Sequence, residues 1–328
     1  MRDEPAPVRR GHVDGAAPTE LGSVTVRVPA TSANLGPGFD ALGLALGLHD
    51  EVTAEVTLEP GLHIDVAGQG AEDVPRDESH LVVRAMRAAW ERFGGQPSGG
   101  LRLSCTNRIP HARGLGSSAA AIVAGVLAAR GLTELCSGAP AATDEDVLRL
   151  ASEVEGHPDN VAACLLGGVT IAWTADTGAR AVRIDPVASL EPVVFVPPTT
   201  SSTAAVRRLL PGTVPHAHAA ANAGRAALLV HALATDTGLL LPATEDRLHQ
   251  PYRAPAMPDS AALVAALRAE GVAAVISGAG PTVLALVEAG RAVDSHLPAG
   301  WSVLRPGVDA AGATVGGTRQ SDLVPCGG

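Results

Sequence analysis

Apolar and polar residues alternate in the first part of the chain, which is typical of half-buried β-strands. Val24, Val26 and Val28 alternate with polar residues, and residues 52–58 repeat this period of two. A different pattern follows, in which apolar side chains recur at helical spacing on one face: Leu81, Val82, Ala85, Met86, Ala89, Trp90 and Phe93. Two glycines at 94–95 end this predicted helix. The first part of the chain is therefore expected to form strands followed by an amphipathic helix.

The rest of the chain mixes strands with helices. Residues 101–105 predict a strand, and the run 117–129 is apolar on every side, as in a helix that is buried in a core. Two glycines at 167–168 lead into a predicted strand near 169–173. The second half alternates predicted strands and helices, with strands at 193–196, 273–276 and 282–287 and helices near 203–210, 216–236 and 259–269. This mixed order favours an α+β fold over a doubly wound α/β sheet.

The length of 328 residues is enough for two lobes around sizeable cores. Residues 1–22 are rich in Pro, Gly, Ala and charged residues without periodicity, which is typical of a flexible tail. A lobe boundary is expected around residues 174–190. We therefore assign residues 23–175 to a first lobe and residues 176–328 to a second lobe.

All 24 basic residues are arginine, because the chain contains no lysine. A Walker A loop, a protein kinase and a Schiff-base enzyme each need a lysine, so these three mechanisms are excluded. Any phosphate site must use backbone N–H groups, hydroxyls, arginine or a metal. The net charge of −10, with scattered arginines, offers no basic face to nucleic acid, and a small polar substrate fits better.

The cysteines and the N-terminus bear on the cellular compartment. Cys105, Cys136, Cys164 and Cys326 form no C-x-x-C pair, which argues against a zinc site and against a disulfide framework. The N-terminus lacks the apolar core of a signal peptide, and no apolar run reaches ~18 residues without Gly or a charge. We expect a soluble, cytoplasmic protein that does not bind membranes. The sequence leaves its oligomeric state open, a homodimer included.

A glycine-rich turn lies in the segment I-P-H-A-R-G-L-G-S-S-A-A at 109–120. Gly114 and Gly116 permit positive φ and a close approach of the backbone to a ligand, so consecutive N–H groups can point into one concavity. The helix that begins at Ser117 adds the positive end of its dipole, and its first turns contain no acid. The turn therefore predicts a phosphate site. The alternative is an ordinary N-cap formed by Ser117 or Ser118.

Two further loops combine small and polar residues. The segment P-A-T-S-A-N-L-G-P-G-F-D at 29–40 follows a predicted strand and carries Asn34 and Asp40. These two side chains could face a small ligand, or each could form a local Asx-turn. The segment S-G-A-G-P-T at 277–282 lies between two apolar strands and leaves room for another loop or for a phosphate, and a hairpin connection is the alternative.

In this order the three loops resemble the three signature motifs of the GHMP kinases, a family that includes galactokinase, homoserine kinase, mevalonate kinase and phosphomevalonate kinase. Three further strings are similar to those of the homoserine kinases within the family: E-G-H-P-D-N-V-A at 155–162, S-T-A-A-V-R at 202–207 and H-Q-P-Y-R at 249–253. The likeness covers essentially everything after the tail. It implies a first lobe like ribosomal protein S5 domain 2 and a ferredoxin-like second lobe, which together form the GHMP kinase fold.

The resemblance implies that the glycine turn wraps the phosphates of ATP. The residues expected to bind the nucleotide are Pro110, Arg113, Gly114, Leu115, Gly116, Ser117 and Ser118. Mg²⁺ is expected on Ser118 and on an acid, for which Glu155 is preferred over Glu153. Either glutamate could instead be a solvated acid at a helix end. Contacts to the base stay open, because His80 stands where many relatives have Asn.

The resemblance also implies a site for the amino acid L-homoserine. The residues expected to bind it are Asn34, Asp40, Asn160, Thr203, Arg207, Arg253, Gly278 and Gly280. The guanidinium groups of Arg207 and Arg253 would grip the carboxylate through parallel hydrogen bonds. Asn34 and Asp40 would meet the ammonium and hydroxyl end, where Asp40 supplies the opposite charge.

Catalysis is expected to involve Asn160, Asp40 and His157. Asn160 stands near the point where mevalonate kinase relatives are thought to use an Asp as base, and an amide cannot accept a proton. We therefore expect positioning and electrostatics to dominate, with the hydroxyl proton leaving late or to phosphate or water. His157 could carry a proton or only orient the loop.

The reaction that the resemblance implies is phosphorylation of L-homoserine by MgATP, a step toward threonine. The alternatives are a GHMP kinase for another alcohol and a catalytically silent ligand sensor of the same fold.

Overall fold

The computed structural model describes residues 20–137 and 142–318. The strands are β1 (Glu20–Ala33), β2 (Leu42–Thr57), β3 (Leu62–Gly68), β4 (Gly100–Asn107), β5 (Val169–Ala175), β6 (Gly178–Ile184), β7 (Leu190–Val196), β8 (Ala273–Ile276), β9 (Val283–Glu288), β10 (Ser302–Leu304) and β11 (Thr314–Thr318). The helices are α1 (Leu81–Phe93), α2 (Ser117–Ser137), α3 (Asp144–Glu155), α4 (Asp159–Leu166), α5 (Thr203–Arg207), α6 (His216–Thr235), α7 (Leu240–Ala243), α8 (Gln250–Arg253) and α9 (Pro258–Ala269). Most of the tail predicted at 1–22 lies outside the described residues, as does Cys326.

The larger sheet has the strand order β11-β1-β2-β4-β3, with β5 paired to β2 and β6 paired to β5. In β1 the predicted alternation is present, because Val24, Val26 and Val28 are buried while Arg27 faces outward. Among the described strands of this sheet, only β3 and β4 pair in parallel. Helix α2 packs on β1, and α1 packs on α2. This half of the molecule is thus a sheet covered by helices.

The smaller sheet has the order β10-β7-β9-β8, and all its neighbours are antiparallel. Helix α9 packs on β8 and β9. One face of this sheet has its own core, which contains Val193, Phe195, Leu267 and Val283, each completely buried. The other face, with Val194 and Leu284, joins the core of the larger sheet. Two sheets with segregated helices confirm the predicted α+β class.

The boundary between the two sheets does not coincide with the predicted lobe boundary at residue 175. Strand β6 was assigned by sequence to the second lobe, but it forms a hairpin with β5 in the larger sheet. Strand β11 also returns to the larger sheet and pairs with β1. A local pattern cannot show this, because the partner of β11 lies almost the whole chain away.

Helix α2 is the apolar helix that the sequence predicted to be buried. Its segment Ser117–Cys136 is long and apolar enough to cross a membrane, but 72% of the most apolar stretch is buried inside the protein. Its side chains pack against β1, β2 and α1. We therefore assign α2 to the core, with its N-terminus at the surface where the two lobes meet.

Hydrogen bonds to backbone carbonyls join the loops of the two lobes. The Ser277 hydroxyl donates to the Gly114 carbonyl at 2.6 Å, and the Gly278 N–H donates to the Ala33 carbonyl at 3.1 Å. A Cβ at Gly114 would lie 2.3 Å from the Ser277 carbonyl oxygen, so the loops meet more closely than any other residue would allow. The three glycine-rich loops of the sequence therefore lie side by side.

Candidate active site

A cavity of about 280 Å³ lies where these loops meet, and most of the predicted site residues line it. The predicted residues in its wall are Asn34, Asp40, Gly114, Gly116, Ser117, Ser118, Glu155, His157, Asn160, Thr203, Arg207, Arg253 and Gly278. They come from both lobes. Asn34 and Gly278, which are joined by a hydrogen bond, lie 244 residues apart in the sequence. A concave site with several converging polar groups is the usual form of a small-molecule site.

The glycine turn presents backbone N–H groups at one end of this cavity. Gly114 and Gly116 have φ of +78° and +70°, and a Cβ on Gly116 would lie 1.9 Å from the Thr31 hydroxyl. The Gly116 carbonyl accepts a hydrogen bond from the Ala120 N–H at 2.9 Å, so Gly116 occupies the N-cap position of α2. Glycine has no side chain to cap the helix with, and the first turn carries no acid. The arrangement is suited to an anion such as phosphate.

Arg113 is placed differently from the expectation that it binds nucleotide. Its Nε and Nη2 donate to the carbonyls of Pro197 and Pro198, both at 3.0 Å, and its Nη1 donates to the His111 carbonyl at 3.1 Å. The guanidinium therefore ties the glycine turn to the loop after β7 and does not line the cavity.

Pro110, Leu115 and Gly280 also lie outside the cavity wall. Leu115 is buried in the core, and its carbonyl accepts from the Thr31 N–H at 3.0 Å. A Cβ at Gly280 would meet the Met257 sulfur at 2.6 Å, so this glycine gives room for packing. These residues shape the loops from behind.

The two candidate acids for a metal are placed very differently. The Ser118 hydroxyl donates to Glu155 Oε2 at 2.7 Å, and both side chains line the cavity. Burial raises the pKa of Glu155, and the hydrogen bond from Ser118 lowers it in part. Glu153 instead accepts from Arg92 at 2.7 Å on the surface. This placement favours Glu155, although its metal role stays a prediction.

The loop between β1 and β2 brings Asn34 and Asp40 to the cavity with backbone φ of +69° and +54°. Asn34 Oδ1 accepts from the Asp40 N–H, and its Nδ2 donates to the Gly278 carbonyl, both at 2.9 Å. Both ends of the Asn34 amide are therefore used within the protein. Its main role in this structure is to fix the loop, and Asp40 is the side chain that offers charge.

Asp40 forms a two-pronged ion pair with Arg207 across the cavity. Arg207 Nη1 and Nη2 donate to the two carboxylate oxygens at 2.8 Å each. The hydrogen bonds that Arg207 donates to this carboxylate raise the pKa of its guanidinium. Thr203 lies at the first residue of the same short helix, α5, and also reaches the cavity wall. The cavity wall thus carries a positive and a negative side chain next to each other, as expected for a site that binds a zwitterion.

Arg253 is a buried guanidinium with an unpaired donor. It is 2% exposed, and its Nη1 lies 3.3 Å from both His249 Nδ1 and the Gly278 carbonyl. Its Nε has no hydrogen-bond partner. Burial lowers the pKa of Arg253, and the charge of Arg207 lowers it further. Arg253 lines the cavity, and a largely buried cation in a cavity wall is suited to an anionic ligand group.

Phe39 and His249 were given no role by the sequence analysis. Their rings stack with centroids 5.0 Å apart, and the guanidinium carbons of Arg207 and Arg253 lie 5.5 and 5.2 Å from the Phe39 centroid. Both residues sit inside motifs that the sequence analysis quoted, P-G-F-D and H-Q-P-Y-R. The available signals in the sequence were the phenylalanine in P-G-F-D and the histidine that begins H-Q-P-Y-R.

Asn160 and His157 are joined through Asp159. Asp159 Oδ1 accepts from the Asn160 N–H at 2.8 Å and lies 2.9 Å from His157 Nδ1, while the Thr31 hydroxyl donates to Asn160 Oδ1 at 2.8 Å. The Asp159 carboxylate raises the pKa of His157. Asp159 is 2% exposed and still contributes to the cavity wall. The three residues form one fixed group at the start of α4.

A second cavity of about 270 Å³ adjoins the first and shares Ser117 and Ser118 with it. Apolar residues such as Val28, Val52, Val74, Pro75, Leu81 and Val82 line it. His80 is buried in its wall with no partner for Nδ1, and burial lowers the pKa of this imidazole. A flat apolar group could fill this space on the far side of the glycine turn. The sequence analysis did not predict this cavity, because its wall comes from separate strands and helices.

Two family models match the chain. The model described as GHMP kinases N terminal domain matches residues 80–168, and the model described as GHMP kinases C terminal matches residues 220–298. Together they span the glycine turn, the His157–Asn160 segment and the Arg253 segment.

Relatives of known name are similar over most of the chain. The homoserine kinase from Streptomyces coelicolor is 61% identical over 295 residues, covering 89% of this chain and 94% of its own length. The homoserine kinase from Clavibacter michiganensis subsp. michiganensis is 50% identical, covering 89% and 93%.

The chain is also similar in structure to solved proteins. The homoserine kinase from Cytophaga hutchinsonii has a TM-score of 0.78 at 30% identity, covering 89% of this chain and 97% of its own. Mevalonate diphosphate decarboxylase from Staphylococcus aureus, at 17% identity and a TM-score of 0.62 with coverage of 89% and 97%, shares the fold.

Proposed function

The chain belongs to the GHMP kinase family, and from this premise we propose that it is a homoserine kinase. In the reaction, the side-chain hydroxyl oxygen of L-homoserine forms a bond to the γ-phosphorus of ATP. The bond between that phosphorus and the β,γ-bridging oxygen breaks, and ADP leaves. The products are O-phospho-L-homoserine and ADP, with release of the hydroxyl proton.

The observation that carries the proposal is the charge arrangement around Arg253. Arg253 lines the cavity, Arg207 lies over the same Phe39 ring and also lines the cavity, and Asp40 provides the opposite charge. An α-amino acid carries a carboxylate and an ammonium on one carbon. A carboxylate on the two arginines and an ammonium near Asp40 would therefore match both charges.

The same cavity contains the glycine turn, which supports ATP as the phosphoryl donor. Backbone N–H groups at Gly114–Ser118 and the start of α2 suit the phosphates without any lysine. The adjoining apolar cavity suits the adenine base, and its wall includes the imidazole of His80. The two cavities meet at the two serines, as one nucleotide spanning both would require.

The residues present fit a Mg²⁺ that arrives with the nucleotide. Among the described residues, no group of three or more His, Cys, Asp or Glu side chains could hold a metal by itself. Mg²⁺ commonly uses only one or two carboxylates and takes its other ligands from phosphates and water. Ser118 and Glu155, already 2.7 Å apart, would hold it. When bound, the ion supplies positive charge that offsets charge developing on the phosphate oxygens.

Transfer in this site would depend on positioning. Asn160 Oδ1 accepts from Thr31, so the amide is held and its Nδ2 can orient the substrate hydroxyl. His157 is fixed by Asp159 on the same wall. Phosphoryl transfer needs in-line placement more than deprotonation, so the hydroxyl proton can leave late, to phosphate or water. Asp40 would anchor the ammonium.

Coupled assays of ADP release test the proposal with L-homoserine, mevalonate and galactose as acceptors. We expect turnover of homoserine alone. Turnover of another alcohol would replace the substrate and keep the family. If no alcohol supports ADP release while ATP still raises the melting temperature, the protein is a ligand sensor of the same fold. We also propose that the enzyme acts in the cytoplasm, in the route to threonine.

A further inference from the structure

The stacked rings of Phe39 and His249 connect the two lobes at the amino-acid end of the cavity. Phe39 belongs to the loop between β1 and β2, and His249 precedes α8. Their centroids are 5.0 Å apart with an angle of 27° between the ring planes. The contact therefore brings one face of the Phe39 ring under residues of the second lobe.

Two like charges share the Phe39 ring. The guanidinium carbons of Arg207 and Arg253 lie 5.5 and 5.2 Å from its centroid. Like charges this close repel each other. Arg207 is paired with the Asp40 carboxylate, whereas the hydrogen bonds of Arg253 go to a carbonyl and to His249. The charges of Asp40, Asp246 and Asp159 favour the Arg253 cation from a distance, whereas the aromatic ring and the imidazole are the groups in direct contact with it.

The contacts of His249 fix both its tautomer and its orientation. The imidazole is fully buried, and Nε2 lies 2.8 Å from the Gly36 carbonyl oxygen. A carbonyl only accepts, so Nε2 carries the proton and Nδ1 is left as an acceptor toward Arg253 Nη1 at 3.3 Å. The ring therefore holds the Gly36 loop on one side and Arg253 on the other.

We propose that the Phe39–His249 ring pair is a positioning platform that holds Arg253 and Arg207 in the geometry needed to grip the substrate carboxylate. The proposal rests on the proposed function of this cavity. Neither ring takes part in phosphoryl transfer. Long arginine side chains lose rotamer freedom on binding, and a platform that holds them beforehand reduces this cost. The platform should therefore affect the affinity for the amino acid more than the rate of transfer.

The first test replaces Phe39 by Leu and by Tyr. Leu keeps apolar bulk but removes the aromatic face, and we expect the KM for homoserine to rise about 10-fold, the size expected for two partly buried cation–π contacts. We expect kcat and the KM for ATP to stay within about 2-fold, since the phosphate turn is untouched. Tyr keeps the ring and should recover most of the loss. Trp173→Leu, which removes an exposed aromatic ring on β5, serves as the matched control.

A double-mutant cycle separates this role from a merely structural one. In an Arg253→Ala background the ring has lost its main cation, so Phe39→Leu should raise the homoserine KM by clearly less than in the wild type. His249→Gln keeps an N–H donor for Gly36 and gives a second, independent variant should Phe39→Leu not fold. We expect it to raise the homoserine KM several-fold, in proportion to the loss of one hydrogen bond.

The possible outcomes distinguish failure of the platform from failure of the proposed function. An unchanged homoserine KM in folded Phe39→Leu, or an equal effect with and without Arg253, overturns the platform. A fall in kcat with unchanged KM overturns it as well. Absence of homoserine turnover in the wild type contradicts the proposed function, and this is seen before any variant is compared.

Discussion

The phosphate end and the amino-acid end of the cavity are built in different ways. The proposed phosphate end consists of Gly114, Gly116, Ser117 and Ser118 in one short stretch, and backbone N–H groups would be its functional atoms. The amino-acid end is assembled from side chains of the β1–β2 loop, α5 and α8, two of which donate to the Gly278 carbonyl in the loop after β8. One end depends on backbone conformation and the other on tertiary packing.

This difference predicts different sensitivities. A backbone site fails when a residue forces the turn out of its conformation, and every phosphate contact is then lost together. A side-chain site loses its contacts one at a time, so single variants should weaken substrate binding by graded amounts. The comparison can be tested by one variant at each end.

The largest effect is expected for Gly116→Ala. The residue has φ of +70°, and its new Cβ would lie 1.9 Å from the Thr31 hydroxyl, which also holds Asn160. The turn must shift, and donors aimed at the phosphates move with it. We expect kcat/KM to fall on the order of 10²–10³-fold, the size seen when a preorganised donor is lost. Steady-state ADP release measures it, with circular dichroism to verify folding.

Gly94→Ala is the matched control for this variant. Gly94 also has positive φ, +76°, but a Cβ there would meet no atom within 4 Å, and it lies at the end of α1. An alanine there also has an unfavourable positive φ but makes no such contact, so activity should be nearly unchanged at some cost in stability. Equal loss of activity in both variants would contradict a specific role for the turn.

The second effect compares the two arginines of the clamp. Arg253 is buried with a free Nε, so Arg253→Ala should raise the homoserine KM roughly 100-fold, the size expected for loss of a buried charged contact. Arg207 is partly exposed, so Arg207→Ala should raise it roughly 10-fold. The KM for ATP should change little in either variant. Substrate titrations at saturating ATP measure both.

Arg208→Ala is the control, because this exposed neighbour does not line the cavity. An unchanged homoserine KM after loss of Arg253 would refute the clamp. A larger effect at Arg207 than at Arg253 would instead show that the ion pair with Asp40 matters more than burial.

A phosphate site at the glycine turn could be proposed from the residues alone, whereas an amino-acid site could not. Gly114, Gly116 and the acid-free start of α2 carry their physical reason in a few adjacent positions. Arg207 and Arg253 resemble any surface arginine in their local sequence, and only the likeness to the homoserine kinase motifs marked them. Phe39 was missed because nothing local indicates which cations will share its ring.

The errors have the same origin. Arg113 is next to Gly114 in sequence, so a phosphate contact was a reasonable expectation, but its hydrogen bonds go to carbonyls of a loop more than 80 residues away. The segment of β6 was expected at the lobe boundary and was assigned to the second lobe, because nothing in its local sequence shows that it pairs with β5. Residues far away in the sequence determine both where the Arg113 guanidinium binds and which sheet β6 joins.

The smallest effect concerns pH and the imidazole that supports Arg253. Burial lowers the pKa of His249 below its ordinary value of 6.5, and the charge of Arg253 lowers it further, while Asp246 and Asp40 act in the opposite direction. The folded state therefore binds a proton at His249 less readily than the unfolded chain. The stability that follows is complete above pH 6.5 and is lost as pH falls toward the folded-state pKa.

Urea unfolding of the wild type and of His249→Gln between pH 7.5 and pH 5 measures this contribution. The variant should be less stable throughout, but its free energy of unfolding should fall less steeply as the pH is lowered. Each unit of difference between the two pKa values corresponds to about 1.4 kcal/mol. Parallel curves for the two proteins would mean that His249 titrates normally. The neutral imidazole would then not be the acceptor that holds Arg253, and the amino-acid end would depend on the aromatic ring and Asp40 alone.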